Sequence, residues 1–264
     1  MPQFGQISPA QTARLIGTPD CPTLFDVRLP DDLDALPAVI PTAILRPHDQ
    51  FADDTSPPRR AIVICMKGRK LSEGVAAILR SQGWQAEVLE GGAAAWAEAG
   101  LPMTPRAALP PSPFWVTRHR PKIDRIACPW LIRRFIDPAA RFLFVTPAEV
   151  PEVAGRFNAI PFDVGGTTIS HRDGGCSFDA LLDDFALHSG ALDRLALVVR
   201  GADTDRHDLA PQAAGLLALS VGLSRMFRDD LQQLEAAMPL YDALYRWARD
   251  GFDEGHDWPA GHSQ

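Results

Sequence analysis

No stretch of this chain reaches the roughly 18 uncharged apolar residues that a helix needs to cross a bilayer. The opening Met1-Pro2-Gln3-Phe4-Gly5-Gln6 also has neither the basic nor the apolar segment of a secretory leader. The expectation is a cytoplasmic protein with no membrane partner. Cysteine is scarce: four residues, at 21, 65, 128 and 176, with no Cys-x-x-Cys spacing. That excludes a compact zinc ribbon and fits free thiols in a reducing compartment. An excess of positive charge is missing as well. The formal net charge of -7 argues against nucleic acid as a partner, because such affinity rests on neutralising phosphates. No internal repeat at a fixed period is visible.

Hydrophobic residues make up 46% of the chain and charged residues 22%, an ordinary globular composition. Its 264 residues suit two domains. The strongest punctuation is the crowd of Pro102, Pro105, Pro110, Pro111 and Pro113, which favours a semi-rigid extended segment. The expected division is a first domain over residues 1–103, a proline-rich linker over 104–113, a second domain over 114–250, and a frayed tail over 251–264.

In the first domain, Ser8-Pro9 reads as a cap and first-turn proline for a helix reaching Leu15-Ile16. Strands are expected over 23–28, 61–64 and 86–89, and helices over 71–81 and 93–98. Strands alternating with helices predict an α/β fold, here a doubly wound parallel sheet with reactive groups at the carboxyl ends of its strands.

Cys65 falls at such an end. It follows the apolar run Ala61-Ile62-Val63-Ile64 and opens the loop Cys65-Met66-Lys67-Gly68-Arg69-Lys70. The helix after the loop would aim its unpaired N–H groups at the sulfur and lower the thiol pKa. A cysteine at a strand end can instead be a small buried hydrophobe. The cations Lys67, Arg69 and Lys70, with Gly68 where amides must turn inward, favour a catalytic nucleophile in an anion-binding loop.

Together with Phe25-Asp26-Val27-Arg28, Gly83-Trp84, and the closing run Val88-Leu89-Glu90-Gly91-Gly92 with Trp96, this loop resembles the single-domain rhodaneses. The resemblance covers about 100 residues. It implies that Cys65 accepts a sulfane sulfur as a persulfide, that Met66, Lys67, Gly68, Arg69 and Lys70 form the substrate-binding loop, and that no cofactor is required. A small-molecule sulfur donor such as thiosulfate and a thiol acceptor are the implied partners. The six-residue loop is similar to those of sulfurtransferases, whereas phosphatases of the same fold carry a longer one. Ala38-Val39-Ile40-Pro41-Thr42-Ala43 departs from the family's usual sequence at the substrate rim. Asp26 and Arg28 read as a structural pair.

The second domain is expected to be α/β to mostly helical. Between Ser112 and Ile136 stand six Lys or Arg residues against one Asp. Pro129 suits a first helical turn. Phe142 to Val145 and Leu195 to Val199 are buried strands or helix segments, 213–230 is a mostly buried helix, and Pro239 should kink or restart the last helix. His171 and Cys176, with Asp203 or Asp205, offer a mixed ligand set for a transition metal, and Gly174-Gly175 permits the turn that would join the first two. The alternative is a capped turn with Cys176 in the core. His119 and Cys128 are secondary candidates. Arg118, Arg120, Lys122, Arg133 and Arg134 are candidates to bind a tetrahedral oxyanion, sulfate among them, or else form a solvated face.

This half strongly resembles the C-terminal domain of the chromate-resistance ChrB family. The resemblance rests on Trp115 to Pro121, Ile123 to Phe135, Ser170-His171 to Cys176, Arg200 to Asp205, and Gly222-Leu223-Ser224-Arg225-Met226. The combined expectation is a rhodanese-type sulfurtransferase coupled to a chromate-resistance domain that binds metal or oxyanion. A chromate- or metal-responsive sensor with an ancillary rhodanese domain is the alternative, and a DNA-binding repressor stands third.

Overall fold

The structure, a computed structural model, describes residues 5–52 and 57–255. It contains two compact units. The first comprises Met1–Pro113 with Leu131–Ala140 and Asp183–Leu187; the second comprises Phe114–Trp130, Arg141–Leu182 and His188–Gln264.

In the first unit the elements run β1 (Gln6–Ile7), α1 (Pro9–Leu15), β2 (Thr23–Asp26), α2 (Pro30–Ala35), β3 (Ala38–Val39), β4 (Ile44–Leu45), β5 (Arg60–Ile64), α3 (Lys70–Ser81), β6 (Gln85–Leu89), α4 (Gly92–Glu98) and β7 (Thr104–Pro105). Ser8 caps α1 with a full capping box to Gln11, and Pro9 takes the first turn. Five strands form a sheet in the order β1-β6-β5-β2-β4, with every neighbouring pair parallel. The expected α/β architecture is thus present. β5 lies at the centre with all but its first residue buried, which is why 61–64 is an unbroken apolar run. Ser72, Val75, Ala76 and Leu79 form the buried stripe of α3. Phe25 packs edge-on against Phe51 and Trp84 at 5.1 and 6.0 Å between ring centres.

The proline-rich stretch is only partly a linker. Thr104–Pro105 pairs antiparallel with Ala38–Val39, and Arg106 N–H donates to Pro37 O at 3.0 Å. Proline can close an edge strand because its missing donor falls on the unpaired side.

In the second unit, β8 (Phe114–Arg118), α5 (Asp124–Leu131), β9 (Arg141–Val145), α6 (Val150–Phe157), β10 (Ile160–Pro161), α7 (Ser177–Asp184), α8 (Gly190–Asp203), α9 (Ala213–Met226) and α10 (Asp230–Asp250) follow. A short parallel sheet has the order β10-β8-β9. Residues 195–199 lie inside α8, so that apolar run is helical. Pro129 lies near the end of α5, not in its first turn, and a π-helical turn follows over Ile132–Ile136. α10 runs through Pro239 without restarting, and buries Leu234, Ala237, Met238, Tyr241, Tyr245 and Ala248. That packed stripe outweighs the roughly 3 kcal/mol cost of an interior proline. α9 ends at Met226 and is not mostly buried: Ser220 and Ser224 are inside, while Leu219, Val221 and Met226 are exposed. Among the described residues, no helix is long and apolar enough to cross a membrane.

Candidate functional site

The register of the first sheet puts Ile64 beside Asp26, so Cys65 leaves the carboxyl end of β5 one residue later. Its loop folds back on the start of α4. Ala93 N–H and Ala94 N–H donate to the carbonyls of Cys65 and Met66, each at 3.0 Å. The loop's first carbonyls are thereby engaged, and its amides are left for the sulfur. Arg69 N–H donates to Cys65 Sγ at 3.3 Å, and Ser72 Oγ lies 3.1 Å from it. The Ser72 hydroxyl also reaches Arg69 O at 2.9 Å, so its hydrogen has two acceptors to choose between.

Two glycines permit this closeness. A Cβ on Gly68, whose φ is +62°, would lie 2.4 Å from Leu89 O; one on Gly92, at φ +63°, would lie 2.2 Å from Cys65 O. Lys67, Arg69 and Lys70 are exposed on the loop's rim, Met66 is half-buried, and Cys65 is 6% exposed.

The thiol's acidity follows from this geometry. Burial pushes it up, but the Ser72 hydroxyl and the amides of Arg69, Ser72 and Lys67 together outweigh burial and hold the pKa below the ordinary cysteine value. The other three cysteines go the opposite way. Burial pushes Cys21 up to about 11, and burial helped by the nearby Asp124 also raises Cys128 and Cys176. Asp26 and Arg28 form a fully buried pair, with Arg28 also donating to Leu36 O and Ala38 O at 3.0 and 2.7 Å. Their role is to tie the end of β2 to the following segment.

The second unit carries its own cluster. His171 Nε2 lies 3.1 Å from Asp203 Oδ2, and 3.5 Å from both Asp124 Oδ2 and Asp163 Oδ1. The imidazole is about half exposed and covers carboxylates that are nearly buried. Three elements supply them. Asp124 opens α5, Asp203 closes α8 at its negative dipole end, and Asp163 follows β10 in a left-handed conformation at φ +50°.

Asp124 is fixed by Ser177 N–H and Phe178 N–H at 2.7 and 3.0 Å, which also satisfies the first turn of α7. Ile123, just before it, is held at φ +36°, strained for a β-branched residue, and its carbonyl accepts the Tyr241 hydroxyl at 3.0 Å. Asp163 accepts from Arg118 at 3.1 Å and Ser177 Oγ at 3.1 Å, and pairs with Arg125 at 3.2 Å.

His171 is raised to about 9, by its hydrogen bond with Asp124 first and then, against burial, by the charges of Asp124, Asp203 and Asp163. Asp203 is raised to about 6, by burial and then by Asp124. Burial and Asp124 likewise raise Asp163. One proton on His171 thus offsets part of the repulsion among three carboxylates, and a cation placed there would do the same. Asp124, Asp163 and His171 each offer a ligand atom within 4.8 Å of the others'.

Residues 115–248, just over half of the chain, match the family described as ChrB, C-terminal domain. The chain belongs to that family. Protein ChrB of Cupriavidus metallidurans is 35% identical over 133 residues, which cover 50% of this chain and 39% of the relative, so the chain spans about two fifths of that relative's length. Among solved structures, a rhodanese-related protein from Thermoplasma volcanium is similar at 25% identity and a TM-score of 0.33, over 38% of this chain and 97% of its own. A Rhodopseudomonas palustris protein described as a possible tyrosine phosphatase is similar at 20% identity and a TM-score of 0.31, over 37% and 83%. At TM-scores this low neither likeness decides an activity.

Within the ChrB domain, the expected ligand set is brought together only in part. His171 and Asp203 meet. Cys176 does not join them: the Gly174-Gly175 turn forms, with Gly175 N–H donating to Arg172 O at 2.8 Å, but it delivers Cys176 into the core, where its N–H caps onto Asp179. Asp205 is 91% exposed and pairs with His207. Cys128 donates to Asp124 Oδ1 at 3.4 Å instead of standing as a ligand, and His119 is exposed. Asp124 and Asp163 are the residues that sequence reasoning missed. Asp124 is the lone acid of a six-cation stretch, a signal that was available; Asp163 stands in Phe162-Asp163-Val164 with nothing to mark it.

The proposed oxyanion set is likewise dispersed. Arg118 pairs with Asp163, Arg120 lines a separate cavity with Arg225 and Arg228, Lys122 is exposed, and Arg133 and Arg134 fall in the segment grouped with the first unit. Within the second unit, Arg118, Arg120 and Lys122 do not share one site.

Proposed function

We propose that the chain is a chromate-resistance-associated sulfurtransferase that carries a sulfane sulfur on Cys65. The observation that supports this most is the convergence on one sulfur of an amide N–H at 3.3 Å and a hydroxyl at 3.1 Å. The Cys65 thiolate attacks the outer sulfur of thiosulfate. An S–S bond forms to Cys65, the bond to the sulfonate sulfur breaks, and sulfite leaves with that electron pair. An acceptor thiolate then takes the outer sulfur and releases the Cys65 thiolate, so no external oxidant or cofactor is needed. The loop amides stabilise negative sulfur in both states, and the exposed rim cations attract the anionic donor.

Incubation with thiosulfate followed by intact mass measurement should add one sulfur to the wild type and none to Cys65→Ser. Equal gain by the variant would remove Cys65 from the role. Turnover of an aryl phosphate by the wild type, without thiosulfate activity, would favour a phosphatase instead.

The His171 cluster favours a second role, in which the ChrB domain holds a divalent cation. Three carboxylates and one imidazole are a hard, oxygen-rich set, suited to manganese or iron(II) over thiophilic ions. Metal analysis of protein purified without chelator, repeated on His171→Ala and Asp163→Asn, tests this reading. Bound metal in the wild type that is lost in both variants is the expected result, and equal or absent metal in all three would count against it.

A further inference from the structure

Between the end of α9 and the start of α10 lies a cavity of about 430 Å³ lined by Arg120, Arg225 and Arg228. It accounts for Ser224-Arg225, part of a run singled out in the sequence that neither site above uses. The three arginines come from separate places. Arg120 sits in the segment before α5, held in a left-handed conformation at φ +53°, with its N–H donated to Asp230 Oδ2 at 3.0 Å. Arg225 is in the last turn of α9, and Arg228 lies between the helices.

Among the described residues, none of these three guanidiniums has a hydrogen-bond or ion-pair partner. Arg118, Arg125, Arg200 and Arg206 in the same unit are all paired. One wall is fixed by Gln233, which is almost fully buried and donates from Nε2 to Pro121 O at 2.7 Å. The cavity also faces the first turn of the 21-residue α10, whose positive dipole end adds to the same field.

We infer that this cavity binds a small organic molecule through a doubly charged tetrahedral group, that is, a phosphomonoester. The charges give the valence: three guanidiniums against the Asp230 carboxylate leave two positive charges, which match a dianion. Guanidiniums in a fork are suited to its oxygens. The volume gives the size, because a cavity of about 430 Å³ has room for an organic group beside the anion. Phe227, half-buried in the lining, supplies an apolar wall for the organic part. The cavity's lining shares no residue with the Cys65 loop or the His171 cluster, and the assignment does not depend on either reading.

Calorimetric titration of the full chain with phenyl phosphate, inorganic phosphate and sulfate tests the assignment. Phenyl phosphate should bind at one site, at least tenfold tighter than inorganic phosphate or sulfate, with affinity that falls as salt rises. R225A/R228A should weaken it at least tenfold, R225K/R228K should retain part of it, and Cys65→Ser should bind like the wild type. All three arginines are exposed, so the variants should melt like the wild type. Equal affinity in R225A/R228A, or no binding at millimolar phenyl phosphate, would overturn the site. Inorganic phosphate binding as tightly as phenyl phosphate would overturn the organic ligand.

Discussion

Burial and hydrogen bonding pull the Cys65 thiol in opposite directions, and the hydrogen-bond donors decide its acidity. Ser72 is the largest of them, so Ser72→Ala should move the thiol's titration upward. A hydrogen bond to a charged group contributes about 1.5–3 kcal/mol, so alkylation of Cys65 at neutral pH should slow by about tenfold or more. An unchanged pH profile of iodoacetamide reaction would assign the acidity elsewhere. At His171 the sign is set by a raised folded-state pKa, about 9 against an ordinary 6.5. The protonated ring's pairing is fully present below about pH 6.5 and is lost as pH climbs through 9. The melting temperature should therefore fall across that window, and His171→Gln should flatten that part of the curve. Because the ring is half exposed, salt should shrink the effect. A divalent cation must displace the same proton, so the rise in melting temperature with added Mn²⁺ should grow from pH 6 to pH 8.5. No change with pH would place the ion elsewhere.

At the scale of elements, the loop after β5 keeps its shape because α4 begins on glycine. Gly92→Ala would bring a Cβ to 2.2 Å from Cys65 O at a left-handed φ, and should cost at least about 2 kcal/mol by denaturant unfolding. Gly74→Ala, in the middle of α3 with nothing within 4 Å of the added atom, should instead stabilise by about 0.4–1 kcal/mol. Equal effects would mean that the close approach at Gly92 is unimportant. The sequence made these elements legible where local signals agreed: the Ser8-Pro9 start of α1, the apolar run of β5, and the stripe of α3. It misled where packing overrode the local signal. Pro239 is absorbed by the buried face of α10, and α9, expected to be mostly buried, turns Ser220 and Ser224 inward and leaves Leu219 and Val221 exposed.

For the whole molecule, the two units do not divide at one point in the chain. The first takes in Leu131–Ala140 and Asp183–Leu187, and Thr42 N–H donates to Phe135 O at 3.1 Å, with Thr42 held at φ +67°. A fragment of residues 1–113 would lose that acceptor and the packing of the returning segments. It should melt below the first transition of the full chain in calorimetry; an identical melting temperature would show that the returning segments contribute nothing.

Chain order alone settled the alternation of strands and helices, the delivery of Cys65 to a strand's carboxyl end, and the family of residues 115–248, because these follow from periodicity and from contiguous motifs. Only the tertiary structure decided which carboxylates surround His171 and which arginines share a cavity. Asp124, Asp163, His171 and Asp203 span 80 residues of chain. Their meeting depends on where α5, β10 and α8 end in space, and no local spacing encodes that.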